Sequence, residues 1–258
     1  MGNLVKIETL QPGLVLVTLN RPERRNALCI ELLEELCLQV EAMASAKSAR
    51  VMILNGAGPI FCSGLDLSEA SQPELVHRSA TILAKALQLM RSTGLITIAA
   101  AQGGAYAGGA GLMAACDFAI GASDLKIGFP EARRGLLPAL ICAVMSPKVR
   151  EGDLRELFLV GNNIDANRAL QIGLLQRVAP LEKLLQNAIE MAESVLAGGP
   201  ETIKATKMLL NHAYAPQEAI CIPDMLEMHL TARNSSEATE GLAAFLQKRP
   251  PKWMASET

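Results

Sequence analysis

An α/β fold followed by a helical C-terminal region is predicted by three features of the sequence. Apolar runs such as RVMILNG (50–56) and LITIAAAQG (95–103) read as strands buried on both faces. Each is followed by a glycine-bearing loop and then a helical stretch, so strand, loop and helix recur at least twice, with both loops on one side of the sheet. From residue 181 onward the pattern is almost wholly helical.

The elements follow in order. LVKIETL (4–10) alternates as a strand, and LVLVTLN (14–20) is a second, entering the polar turn RPERRNAL. IELLEELCLQVEAM (30–43) sets Leu33, Leu36, Val40 and Met43 at helical spacing. Glu31, Glu34 and Glu35 sit near its start, where the helix dipole favours carboxylates. GAGPIFCSGLDL is a loop, and PELVHRSATILAKALQLMR (73–91) is a helix with proline in its first turn. GLMAAC (111–116) is a short buried helix, and DFAIGA and LKIGF are two further strands. DANRALQIGL (165–174) is a helix capped by Asp165 and stopped by Gly173. LEKLLQNAIEMAESVLAGG is amphipathic and ends on glycines. ETIKATKMLLNHAY and SSEATEGLAAFLQKR are two more helices, with another between them. Apolar helices this far from the sheet predict contact with a neighbouring subunit.

Composition narrows the function. The 258 residues fit one large domain, and a half-hydrophobic chain with only 19 % charged residues suggests buried subunit surface. Aromatics at 3 % and a net charge of −2 without a basic run argue against nucleic acid as a partner. No run approaches ~18 uninterrupted apolar residues, so no membrane span is expected. The N-terminus lacks a signal-peptide pattern, and Met1-Gly2 is followed by Lys6 where myristoylation wants Ser or Thr. The cysteines at 29, 37, 62, 116, 142 and 221 form no CxxC, which predicts free thiols and a cytoplasmic location.

Familiar motifs are missing. No glycine precedes the Lys-Ser pair of a phosphate loop. Gly109 to Ala114 offers only a G-x-G-x-x-A variant of the dinucleotide fingerprint, with Glu131 in the place of its acidic residue. Around Ser63 the hydrolase elbow lacks its first glycine. His77, His212 and His229 lie in helical stretches without metal spacing, which predicts solvated or packed side chains and no metal site. Two loops remain, around Gly64 and in GGAYAGGAG (103–111). They are either tight packing turns or the source of two converging backbone N–H groups, an oxyanion hole suited to an enolate or a tetrahedral oxyanion. Glu131, in IGFPEARRGLLP, is either a general base in an apolar pocket or the ion-pair partner of Arg133 or Arg134.

Six stretches in this order resemble the crotonase superfamily of enoyl-CoA hydratases and isomerases. They are LNRPERRNAL, FCSGLDL, QGGAYAGGAGLMAACDFAIGA, IGFPEARRGLLP, LVGNNIDANRALQIGLLQRV and EGLAAFLQKRPPKW. The resemblance implies a spiral of ββα units over residues 1–195 and a helical trimerisation region over 196–258. It implies a homotrimer, or a hexamer of paired trimers, that binds acyl-CoA thioesters. It implies no cofactor beyond the coenzyme A of the substrate. The N–H groups of Leu65 and Gly108 would stabilise the thioester enolate, with Glu131 as acid/base. Substrate contacts are expected from Arg24 or Arg25, from Ser63, Gly64, Asp66 and Leu67, from Tyr106, Gly109 and Gly111, and from Phe245 and Lys248, the last two toward coenzyme A on a neighbouring subunit.

Two departures bear on the reaction. Family hydratases carry a second glutamate where this chain has Gly111. Addition of water uses both acids, whereas a double-bond isomerase needs only the one at 131. PALICAVMSP replaces a glycine-rich stretch of many hydratases, which implies a different acyl pocket, with Cys142 and Met145 read as core. Isomerisation is slightly favoured on this chemistry. A methylglutaconyl-CoA-type hydratase and a catalytically weak acyl-CoA-binding scaffold are the alternatives.

Overall fold

The computed structural model describes residues 3–46, 49–70, 72–214 and 222–254; Met1, Gly2 and Cys221 lie outside the described residues. Two antiparallel strands, β1 (Val5–Gln11) and β2 (Gly13–Leu19), open the chain. Helix α1 (Ile30–Ala46) returns it to β3 (Ala49–Gly56), which pairs in parallel with β2. After α2 (Leu67–Ala70) and α3 (Pro73–Ser92), β4 (Ile96–Ala101) joins β3 in parallel. The chain continues through β5 (Gly104–Tyr106), α4 (Gly108–Ala115), β6 (Phe118–Ala122) and β7 (Lys126–Gly128). Helices α5 (Ala139–Met145) and α6 (Glu151–Arg155), strand β8 (Ile164–Asp165), α7 (Ala166–Gln171) and β9 (Arg177–Ala179) complete the core. One sheet runs β1-β2-β3-β4-β6-β9, and a smaller one runs β5-β7-β8. Four helices follow: α8 (Leu184–Leu196), α9 (Pro200–Ala213), α10 (Ile222–Arg233) and α11 (Ser236–Leu246).

The larger sheet is covered on both faces, which explains strands that are apolar without alternation. On β3, Val51 and Ile53 join Leu14, Leu16, Ile98 and Ile120 beneath α8, which buries Leu184, Ala188, Met191 and Ala192. Met52 and Leu54 face the other core, with Leu33, Leu36, Leu83 and Leu87 of α1 and α3. The Arg50 guanidinium donates to the Leu196 and Gly198 carbonyls at 3.0 and 2.6 Å, serving carbonyls that the end of α8 leaves open. Buried Lys207 ties α9 to the sheet by donating to Leu95 O at 2.7 Å and Asp117 Oδ2 at 2.8 Å.

The Asp165 cap read from the sequence is present, and Ser235 supplies a second. Asp165 Oδ1 accepts from the Arg168 N–H at 2.8 Å, and Ser235 Oγ from the Ala238 N–H at 3.1 Å. The glycine-rich stretch differs from the expected loop. Residues 104–106 pair in parallel with β7, and α4 begins at Gly108, three residues before the predicted GLMAAC helix. Cross-chain pairing and burial on all sides of α4 set these elements; local propensity does not. Helix α5 forms from PALICAVMSP, with Met145 in the core and Cys142 half-buried. The cysteines among the described residues are all free thiols.

Candidate active site

The two glycine loops meet. Cys62 donates its N–H to Gly104 O at 3.1 Å, and Tyr106 donates to Cys62 O at 3.0 Å, so the 62–66 loop is stitched onto β5. Gly64 has φ of +93°, a conformation open to glycine, and a Cβ there would lie 2.9 Å from Tyr106 O and 3.6 Å from Gly108 N. Leu28 donates to Gly64 O and Asp66 donates to Leu28 O, at 2.8 and 3.0 Å, which leaves the intervening Leu65 N–H unused. On the second loop Ala107 holds φ of 49° while its N–H donates to Gly128 O at 2.9 Å. Such a conformation costs an L-residue about 1–3 kcal/mol and is characteristic of functional sites. It delivers Gly108 to the start of α4. Among the described residues neither the Leu65 nor the Gly108 N–H has an acceptor.

Buried Asn26 holds this arrangement from behind. Its Nδ2 donates to the carbonyls of Ala57, Ile60 and Phe61 at 2.9, 2.8 and 3.2 Å, and its Oδ1 accepts from the Arg21 N–H at 2.9 Å. An amide is the one side chain that can serve donors and acceptors together in this way.

Both N–H-bearing residues line a cavity of about 500 Å³. Glu131 stands in its wall, 7 % exposed, just after Phe129 and Pro130 and ahead of the short 3-10 turn Ala132–Arg134. Its Oε2 has no hydrogen-bond partner among the described residues. Burial pushes its carboxyl up to about 7, an effect that its own backbone N–H and the Arg134 charge offset only in part. The alternative ion pair with Arg133 or Arg134 is not formed among the described residues. Arg133 donates instead to Val160 O and Asn162 Oδ1, and the Arg134 guanidinium lies 4.0 Å from the centre of the Phe245 ring.

Ten of the residues singled out in the sequence line this cavity: Arg24, Arg25, Ser63, Leu65, Asp66, Leu67, Tyr106, Gly108, Glu131 and Phe245. The Arg24 and Arg25 side chains have no partner among the described residues, while Asp66 is bound to Arg21 and to Ser68. Burial would raise the Asp66 carboxyl, but these bonds outweigh it and hold it below the usual range. Three of the glycines expected to touch substrate lie outside the lining. Gly64 packs against Tyr106 and Ala107. Gly109 is packed against Cys62, where a Cβ would come within 2.6 Å of the carbonyl oxygen, so the two loops approach closely there. Gly111 faces the side chain of Ile141, which is itself in the lining. Phe245 lines the cavity of its own chain, and Lys248 does not.

The sequence reading missed Arg134, Leu137, Leu140, Ile141, His229 and Arg233, all in the lining. His229 is buried, as the packed alternative expects, and it also lines the cavity. The spacing of His229 and Arg233, four apart on one helix, was the available signal.

Comparison with known proteins supplies the class. The family model described as Enoyl-CoA hydratase/isomerase matches residues 9–256, and the chain belongs to this family within the crotonase superfamily. The enoyl-CoA isomerase/hydratase fer4 of Mycosarcoma maydis is 32% identical, with 92% of its length and 93% of this chain covered. The crystal structure of an enoyl-CoA hydratase from Mycobacterium avium superposes with a TM-score of 0.88 at 31% identity, covering 98% of this chain and 100% of that one. A monofunctional enoyl CoA isomerase from M. smegmatis has a TM-score of 0.73 at 27% identity, covering 88% and 99%.

The raised carboxyl has a consequence for stability. The unfolded chain releases this proton near 4.5 and the folded chain near 7, so stability falls as pH rises between those values. Glu131→Gln removes the penalty. Unfolding free energies from urea titrations at fixed protein concentration are expected to match wild type near pH 4, and at pH 8 to exceed it by roughly 3 kcal/mol with a correspondingly higher midpoint. Equal midpoints at both pH values would contradict the buried, unpaired placement.

Proposed function

We propose that this chain is an enoyl-CoA isomerase, moving a double bond along an acyl-CoA thioester through an enolate. The Leu65 and Gly108 N–H groups hold the thioester oxygen, where two preorganised donors in a dry site stabilise developing charge. Glu131 takes a proton from C2 of a 3-enoyl-CoA and returns it to C4, giving the conjugated 2-enoyl-CoA. A carboxyl near 7 is matched to taking and giving a proton at neutral pH. Arg24 and Arg25, at the rim of the same cavity, suit the phosphates of coenzyme A. The family's chemistry needs no cofactor beyond the coenzyme A that the substrate carries.

One observation carries the choice of isomerisation over hydration. Two carboxylates line the cavity, and Asp66 is committed to Arg21 and Ser68, so Glu131 acts alone. At 111, where a second acid would orient water, a Cβ would meet Ile141 Cγ1 at 3.1 Å. An aliphatic wall stands where water would need a polar host.

The surface of α9 exposes Met208, Leu209 and Leu210, with Tyr214 just past its end. We assign the trimer, or a hexamer of paired trimers, to this surface and to residues 196–258, since exposed apolar clusters of this kind mark subunit contacts. Sedimentation of the full chain at the mass of a monomer would count against it.

Absorbance assays test the activity. With 3-hexenoyl-CoA a gain of conjugation is expected, and with crotonyl-CoA little or no loss. Glu131→Gln should lower the rate by ~10²–10⁴-fold. Gly111→Glu combined with Ile141→Ala should introduce hydration of crotonyl-CoA. Rapid hydration by the wild type would make it a hydratase. Tight thioester binding with neither reaction would make it a scaffold.

A further inference from the structure

Helix α10 packs on α3 and α5 and closes one side of the cavity. Ile222, Met225 and Leu226 pack against the core, and the same face carries its two buried residues, His229 and Arg233, 8 % and 7 % exposed. Burying an imidazole costs free energy unless polar groups meet both of its nitrogens.

The imidazole is held in one orientation. Its Nδ1 lies 3.2 Å from Leu137 O. A carbonyl only accepts, so Nδ1 carries the proton and the neutral ring presents a lone pair at Nε2. That Nε2 is buried and has no partner among the described residues. Burial holds the ring at about 4, so it is neutral at ordinary pH. The helices packed against α10 bring Leu83 of α3 and Leu140 and Ile141 of α5 to the same lining, with Leu137 beside them. Arg233, on α10 itself, is the charge that bears on the ring; Arg134 and Glu131 stand elsewhere in the lining.

We propose that His229, with Arg233 one turn on, reads an oxygen function on the acyl chain of the substrate, so that this enzyme prefers enoyl-CoA thioesters whose chain carries a hydroxyl or a carboxyl group beyond the reacting carbons. The oxygen presents its O–H to Nε2 and accepts from the guanidinium. A hydroxyl does this as it stands. A carboxylate does it after one proton from solvent joins the carboxyl–imidazole pair. The inference rests on the acyl-CoA reading above and adds the chemistry of the chain.

The test uses saturated CoA thioesters of four to six carbons, each as the unsubstituted, the ω-hydroxy and the ω-carboxy compound, titrated calorimetrically against the full chain. At least one oxygenated series should bind about tenfold or more tighter than its unsubstituted counterpart, the effect of a buried hydrogen bond to a charged group. In buffers of differing ionisation enthalpy, proton uptake marks the carboxyl and its absence the hydroxyl. In wild-type protein labelled with ¹⁵N-histidine, the Nε2 resonance of His229 should move with the oxygenated ligand and not with the unsubstituted one. In His229→Leu the preference should shrink to within about threefold. Unsubstituted chains binding as tightly as both oxygenated series would overturn the proposal and leave the acyl-CoA reading intact. A preference with an unmoved His229 resonance would overturn the assignment to His229. No binding of any thioester would overturn both.

Discussion

The approach of the 62–66 loop to the 104–109 loop is the constraint on which the site depends. Two backbone N–H groups must be left without acceptors, held rigid and aimed into one cavity. A carbonyl–amide ladder between Cys62, Gly104 and Tyr106 brings the loops together, and no side chain can stand at Gly64 or Gly109 where they touch. The remaining features serve this contact: the Asn26 clamp on residues 57–61, the φ of 49° at Ala107, and the small sheet that carries Tyr106. The larger sheet, covered on both faces, is the platform that makes such strain tolerable.

Glu131 shows the same logic in a side chain. An unpaired buried carboxylate destabilises the fold at neutral pH, and its basicity follows from that cost. Arg133 and Arg134 lie close enough in sequence to neutralise it, yet one is engaged by Val160 and Asn162 and the other lies over Phe245. Proline before the glutamate and a 3-10 turn after it keep the carboxylate in the wall. In the proposed isomerase the choice of reaction falls to Ile141, an apolar member of the same lining that a Cβ at Gly111 would meet.

Much of this was legible in the sequence because it is local or periodic. The helices at 30–46, 73–92 and 184–196 follow from apolar spacing, and Asp165 caps as its residue type demands. The two loops and Glu131 were visible from glycines and from an acid among apolar residues. What was hidden depends on distant partners. Residues 104–106 become a strand only against 126–128. Gly109 and Gly111 read as ligand contacts until Cys62 and Ile141 are seen to occupy the space beside them. His229 and Arg233 come from a helix more than 90 residues beyond Glu131, and their spacing puts them on one face of α10 without saying what that face meets.

A crystal structure of the protein with acetoacetyl-CoA tests the account most directly. The thioester oxygen is expected within ~3 Å of both the Leu65 and Gly108 nitrogens, with Glu131 against the acyl carbons that exchange protons. A thioester oxygen that meets neither nitrogen, or a carboxylate of Glu131 turned away into an ion pair, would contradict it.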